Sequence, residues 1–310
     1  MKLNLSPAPH VHASQTTRAL MLNVIIALIP CALAGIWVFG PKAILTIVLC
    51  VLSAMISEYL WQMLTRQKVL LGDLSAAVTG LILALNLPCT APWWVCVMGS
   101  AFAVVVVKGM FGGLGDNFIN PALAARALLL AAWPKYMTVW QQPVGWKAGL
   151  DAVTTATPLS SPGNYSVVQL LLGNIPGCIG EVCKVAIVIG LIYLLVTKTV
   201  SWRIPVVMVA SATLFCTLLG KDPVASVLSG GLLFGAVFMA TDYVTCPMEP
   251  LAQIIYAALA GLLVALIRAF SSYPEGVTYA ILLMNIAAPL IDHFCRRRVY
   301  GHEKGAEQNA

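Results

Sequence analysis

The chain has 310 residues, 60% of them hydrophobic and only 10% charged, with a formal net charge of +6 and a mean hydropathy of +0.88. A water-facing domain of this length needs roughly a quarter of its residues charged. Composition therefore excludes a soluble enzyme or a nucleic-acid-binding module and points to an integral membrane protein. Residues 1–20 hold Pro7, Pro9, His10, His12, Ser14 and Arg18 without an apolar run, so no cleaved signal is expected there. Apolar stretches then predict ten spans, at 20–39, 43–64, 74–88, 92–108, 118–133, 182–198, 204–220, 225–241, 251–270 and 277–295. The expected fold is an all-α polytopic membrane protein of about ten transmembrane helices.

Basic residues set the direction of such a chain. With the N-terminus inside, eleven Lys and Arg fall in inner segments and five in outer ones. Both termini are thus expected in the cytoplasm and the 134–181 loop outside. Trp37, Trp93, Trp94 and Trp133 fall at outer span ends, where an interfacial aromatic belt belongs.

Thr79-Gly80-Leu81-Ile82-Leu83 resembles Ser229-Gly230-Gly231-Leu232-Leu233. Downstream of each, a basic residue ends an apolar helix: Lys108 before Phe111-Gly112-Gly113, and Arg268 before Phe270-Ser271-Ser272. Five spans per copy force the second copy upside down, as in many transport folds. The organisation expected is a single membrane domain, 1–310. It divides into a first repeat (1–133), an extracytoplasmic loop (134–181), a second inverted repeat (182–295) and a cytoplasmic tail (296–310). Spans three and eight are both short and occupy the same place in the two copies, where helices often break and face a cavity.

Charge within spans needs a partner or a wet cavity. Asp292 lies beside Arg296–Arg298, which reads as an interfacial cluster. Glu58 is expected to snorkel from the inner end of span two. Arg126, five residues past Pro121, and Asp242, at the end of the glycine-rich span eight, are candidates for a functional cavity. Residues 109–120 are rich in glycine and fit either a tight turn or a phosphate cradle, although no Walker lysine follows. None of the nine cysteines forms a C-x-x-C, so they read as small packing residues.

In the outer loop, Asp151-Ala152-Val153-Thr154-Thr155-Ala156-Thr157 is on its chemistry alone a threonine-rich turn. It resembles the D-x-x-[S/T]-x-A-T flavin attachment sequence of the family that includes the D subunit of Rnf electron transport complexes and the B subunit of the sodium-pumping NADH:quinone reductase. Ala91-Pro92-Trp93-Trp94, Phe111–Asn117 with Asn120-Pro121-Ala122, and Ala240-Thr241-Asp242-Tyr243-Val244-Thr245 also resemble family motifs, with Tyr243 where proline is usual. So do Leu266-Ile267-Arg268, Tyr273–Val277, Pro289–Asp292 and Arg298–His302.

The resemblance implies a urea-channel-like fold and a membrane component of an ion-translocating ferredoxin:NAD+ oxidoreductase, not catalytic alone. FMN would be esterified to Thr157, with Asp151, Thr154, Asn120, Arg126 and Asp242 as further cofactor-binding candidates. Some relatives also hold a noncovalent riboflavin. The implied partners are the flavin-bearing G subunit, the A and E membrane subunits, and Na+ or H+, in a bacterial inner membrane. No metal ligand is expected. The competing reading is a channel or secondary transporter for a small polar solute.

Overall fold

The computed structural model describes residues 16–143, 165–271 and 276–295. All regular elements of three residues or more among them are helical. Four helices are long and apolar enough to cross a bilayer: α1 (Thr17–Phe39), α2 (Pro41–Leu64), α12 (Pro250–Phe270) and α13 (Val277–Cys295). Five shorter apolar helices lie among them: α3 (Ser75–Leu85), α4 (Trp93–Gly109), α5 (Pro121–Ala132), α8 (Lys184–Val196) and α9 (Arg203–Leu218). The 225–241 span is two pieces, α10 (Pro223–Leu228) and α11 (Leu232–Phe234), parted at Ser229-Gly230-Gly231. Gly230 takes φ 66° there, a conformation that glycine adopts without strain. The helical pattern with both faces apolar, and large side chains such as Leu33, Trp37 and Leu64 more than half exposed, is that of a polytopic membrane protein.

The region between α5 and α8 is not a bare loop. It carries α6 (Pro134–Met137) and α7 (Val167–Leu172), the latter begun by a capping box of Ser166 and Gln169. These are too short to read from apolar periodicity. Two helices end in wider turns: α4 is a π-helix from Phe102 to Gly109, and α11 continues as one from Gly235 to Met239. Such turns gather at functional sites.

Small residues let the helices approach closely, which is how helices associate in lipid. Gly80 of α3 packs on α2, where an added Cβ would lie 2.8 Å from the Cys50 carbonyl oxygen. Gly261 of α12 packs on α9 at Met208 and Ala212. Helix α1 lies along α8, and α5 along α13. The 178–180 segment pairs with the end of α3, as Gly180 N–H donates to the Leu85 carbonyl (2.7 Å) and Ile179 N–H to that of Leu87 (3.2 Å).

Two ionic expectations are corrected by packing. Glu58 does not snorkel: it is 4% exposed and paired with Lys108. Lys184, counted as an outer-loop charge, is buried, and its ammonium donates to the carbonyls of Glu181 and Gly230. Removing both lysines from the inside–outside count leaves the bias in the same direction. Asp292 accepts the backbone N–H groups of Met248 (3.1 Å) and Glu249 (3.4 Å). Arg296–Arg298, the partners expected for it, lie outside the described residues.

Candidate functional site

The broken α10–α11 span and the segment leading into α5 face each other. Asn120 caps α5, its Oδ1 accepting the N–H groups of Ala122 (3.0 Å) and Leu123 (3.3 Å). Its Nδ2 donates to the carbonyl of Met239 (3.4 Å), the last residue of the π turn. Its own N–H reaches Asn285 of α13 when that amide is oriented to satisfy its network, at 3.1 Å. One asparagine thus ties α5, α11 and α13 together.

Beside this junction lies a first, small cavity of about 70 Å³. Val78, Ile82, Val237 and Phe238 form apolar walls, while Ser75, Lys108, Asn117, Asn120, Thr241 and Asp242 supply polar groups. Ligand pockets commonly have this mixture of apolar wall and polar edge. Asp242 is half-buried and accepts from Thr245 Oγ1 at 3.3 Å. Tyr243 donates its hydroxyl to the Thr199 carbonyl (2.5 Å), pinning the wall after α11 to the end of α8.

A second cavity, of about 580 Å³, is lined by Thr17, Glu58, Gln62, Gln67, Lys68, Asp73, Gly112 and Gly113, among others. Lys108 and Leu114 line both cavities and so form their common wall. The glycine-rich segment supplies that wall. Gly112, Gly113 and Gly115 adopt φ of 118°, 109° and 108°, and Gly113 N–H returns to the Lys108 carbonyl (3.0 Å). The segment forms a tight turn.

Lys108 ends the π segment of α4 and is 4% exposed. Its ammonium donates to Glu58 Oε1 and to Ser75 Oγ, each at 2.5 Å. Ser75 in turn donates its hydroxyl (2.7 Å) and its N–H (2.9 Å) to Asp73 Oδ1. Leu74 between them is held left-handed at φ 64°, an uncommon state for leucine. The other oxygen, Glu58 Oε2, is buried without a partner among the described residues. A buried carboxylate oxygen left so is costly and calls for a reason.

Arg126 does not line the first cavity. It donates to Asn86 Oδ1 (2.8 Å) and to Cys178 Sγ (3.4 Å), linking α5 to the end of α3 and to the 178–180 segment. Of the sequence candidates, Asn120 and Asp242 come together at the first cavity and Arg126 stands apart. Asp151, Thr154 and Thr157 lie outside the described residues. Ser75 carries no sequence signal that marks it, Asn117 is marked only as part of the Phe111–Asn117 motif, and Lys108 reads from sequence only as a helix end. A lysine closing the run Val104–Val107 is nonetheless a signal for a buried partner. Among the described residues no group of His, Cys, Asp and Glu could hold a metal ion, and no cysteine is in a disulfide.

The family model for NQR2, RnfD and RnfE matches residues 4–301. The chain is similar to the D subunit of the Na+-translocating ferredoxin:NAD+ oxidoreductase complex of Acetobacterium woodii, with 45% identity over 98% of this chain and 97% of that one. It is 38% identical to the D subunit of the proton-translocating ferredoxin:NAD+ oxidoreductase complex of Clostridium ljungdahlii, over 96% of each. The D subunit of the ion-translocating oxidoreductase complex of Salmonella arizonae is 35% identical, over 98% of this chain and all of that one.

Proposed function

The chain belongs to the NQR2, RnfD, RnfE family, and from that premise we propose that it relays electrons through covalently bound FMN within an ion-translocating ferredoxin:NAD+ oxidoreductase complex. Similarity along almost the whole chain to proteins named as parts of that complex carries this reading. It also favours the relay over a solute channel, although helices and cavities alone suit both. The partners are the other members of the complex, with the flavin-bearing G subunit and the A and E membrane subunits adjoining it in a bacterial inner membrane. The coupling ion is Na+ or H+. Family membership does not select between them, since the Acetobacterium and Clostridium relatives are named for different ions.

FMN is attached through a phosphoester to Thr157, with Asp151 and Thr154 forming part of the recognition sequence. The chain also holds a second, noncovalent flavin. Its candidate hydrogen-bonding groups are Asn120 and Asp242, which line the first cavity. A flavin there supplies one- and two-electron chemistry. The protein's own groups orient it and exclude lipid.

The ten spans form two inverted five-span copies. Parallel geometry supports this: Lys108, at the end of α4, reaches Ser75 at the start of α3. Arg268, near the end of α12, reaches the carbonyls of Ser226 (2.6 Å) and Ser229 (3.2 Å) at the α10–α11 break.

The test of the relay is a denaturing gel of the chain made together with its flavin-attaching enzyme. The chain should fluoresce as a flavin band, and Thr157→Ala should abolish it. Thr154→Ala should at most reduce it. A fluorescent Thr157→Ala band sinks the attachment site, and a colourless parent chain sinks the relay.

A further inference from the structure

One end of the helical bundle carries three cations that its own helices do not neutralise. Helix α1 lies along α8. Asn23 of α1 sets their relative depth, its Nδ2 donating to Thr199 Oγ1 (3.3 Å) and its Oδ1 accepting the Tyr193 hydroxyl (3.3 Å). The first turn of α1, the turn after α8 and the first turn of α9 therefore share one membrane end, and they bear Arg18, Lys198 and Arg203. Arg18 and Lys198 are exposed and Arg203 is half-buried. The sequence holds no acid before Glu58 and none between Glu181 and Asp222, so α1, α8 and α9 supply no carboxylate. Among the described residues no ion pair involves any of the three cations. Glu249, at the start of α12 beside α9, makes none with Arg203.

Local structure does not account for these charges either. Arg18 and Arg203 sit in first helical turns that contain no acid, where the helix dipole disfavours a cation. Lys198 takes φ 52°, a backbone state that favours glycine over lysine. Each basic side chain is thus kept at a local cost. Their surroundings face lipid. Arg18 continues the exposed stripe of α1 through Leu22 and Ile29, and Arg203 that of α9 through Val206 and Leu214. Trp202 is 57% exposed, with the Arg203 guanidinium 6.0 Å from its ring. An exposed indole and long basic side chains at the end of an apolar stripe belong at headgroup depth.

We propose that this end of α1, α8 and α9 binds the phosphodiester headgroup of an anionic phospholipid. Arg203 presents its planar fork of donors to the phosphate oxygens, and Arg18 and Lys198 add charge from either side. The acyl chains run along the apolar stripes of α1 and α9. Three cations with no carboxylate from the same helices select a net anionic lipid, because a zwitterionic head brings its own ammonium against them.

The experiment reconstitutes the whole purified complex in phosphatidylcholine bilayers containing a trace of photoreactive phosphatidylglycerol or of photoreactive phosphatidylcholine, each with its reactive group beside the glycerol. Mass spectrometry then counts adducts on the segment 197–206. Phosphatidylglycerol should label it on the order of tenfold more than phosphatidylcholine, and the excess should shrink at high salt. Lys198→Gln and Arg203→Gln should each reduce the excess on the order of fivefold. Lys198→Arg should retain it, as should Lys42→Gln, whose charge lies at the other end of α1. Equal labelling by the two lipids in the parent complex would overturn the site and leave the cations only to orient the chain. So would an undiminished excess in both glutamine variants. Absence of adducts from either lipid would mean that another protein covers this surface, and would overturn the site as well.

Discussion

At the scale of single residues, the polar groups of this chain divide by what holds them. Arg126 and Asn86 are structural partners across α3 and α5, each supplying what the other lacks in an apolar interior. Asn86→Ala should leave the guanidinium short of an acceptor and cost about 1–3 kcal/mol. A lowered thermal transition of the purified complex, with flavin content unchanged, is the expected result. Asp242 differs, because it faces a cavity rather than a fixed basic partner. Asp242→Asn should slow electron flow or uncouple ion transport while the complex still assembles. Normal pumping by that variant would reduce Asp242 to a capping group for Thr245. Asp242 was legible in the sequence because a carboxylate beside a glycine-rich apolar run needs a reason. Glu58 was misread because its partner lies 50 residues away, and one-dimensional patterning carries no information on such a pairing.

At the scale of elements, length and apolarity located the helices well. The nine continuous spans match helices α1 to α5, α8, α9, α12 and α13. The short spans were expected to be unusual, and the later one is indeed parted at Ser229–Gly231, whereas α3 is continuous and ends at Asn86. Glycine marked the break because Gly230 turns left-handed there at little cost. The π turns were invisible, since they depend on how α4 and α11 accommodate their neighbours rather than on any residue type. Close helix approach makes its own prediction. A Cβ at Gly261 would meet the Met208 carbonyl oxygen at 2.6 Å and Ala212 N at 2.7 Å, both backbone atoms that cannot move aside. Gly261→Leu should therefore force α9 and α12 apart, at a cost of about 1–3 kcal/mol or more. The expected outcome is loss of the intact complex on a native gel, while Gly72→Ala, open on all sides, leaves it intact.

At the scale of the whole molecule, orientation decides on which side a covalent flavin would sit. Thiol labelling of a cysteine-cleared chain in intact cells tests it. Asn164→Cys should react with an impermeant reagent and Glu307→Cys should not. The opposite pattern would reverse the orientation and place Thr157 inside. The sequence by itself determined that this is a helical membrane protein, roughly where its main helices lie, and which family it resembles. Those properties follow from local apolarity, proline and glycine, and short runs of neighbouring residues. Only the tertiary structure decided that Lys108 pairs with Glu58, that Asn120 joins three helices, and that Asp242 and Lys108 line one cavity while Arg126 lies outside it. In lipid every span is apolar on all sides, so the pattern that marks a buried face in a water-soluble helix is missing. Which polar group finds which partner is then settled by close packing at small residues and by the cost of leaving a buried charge unpaired.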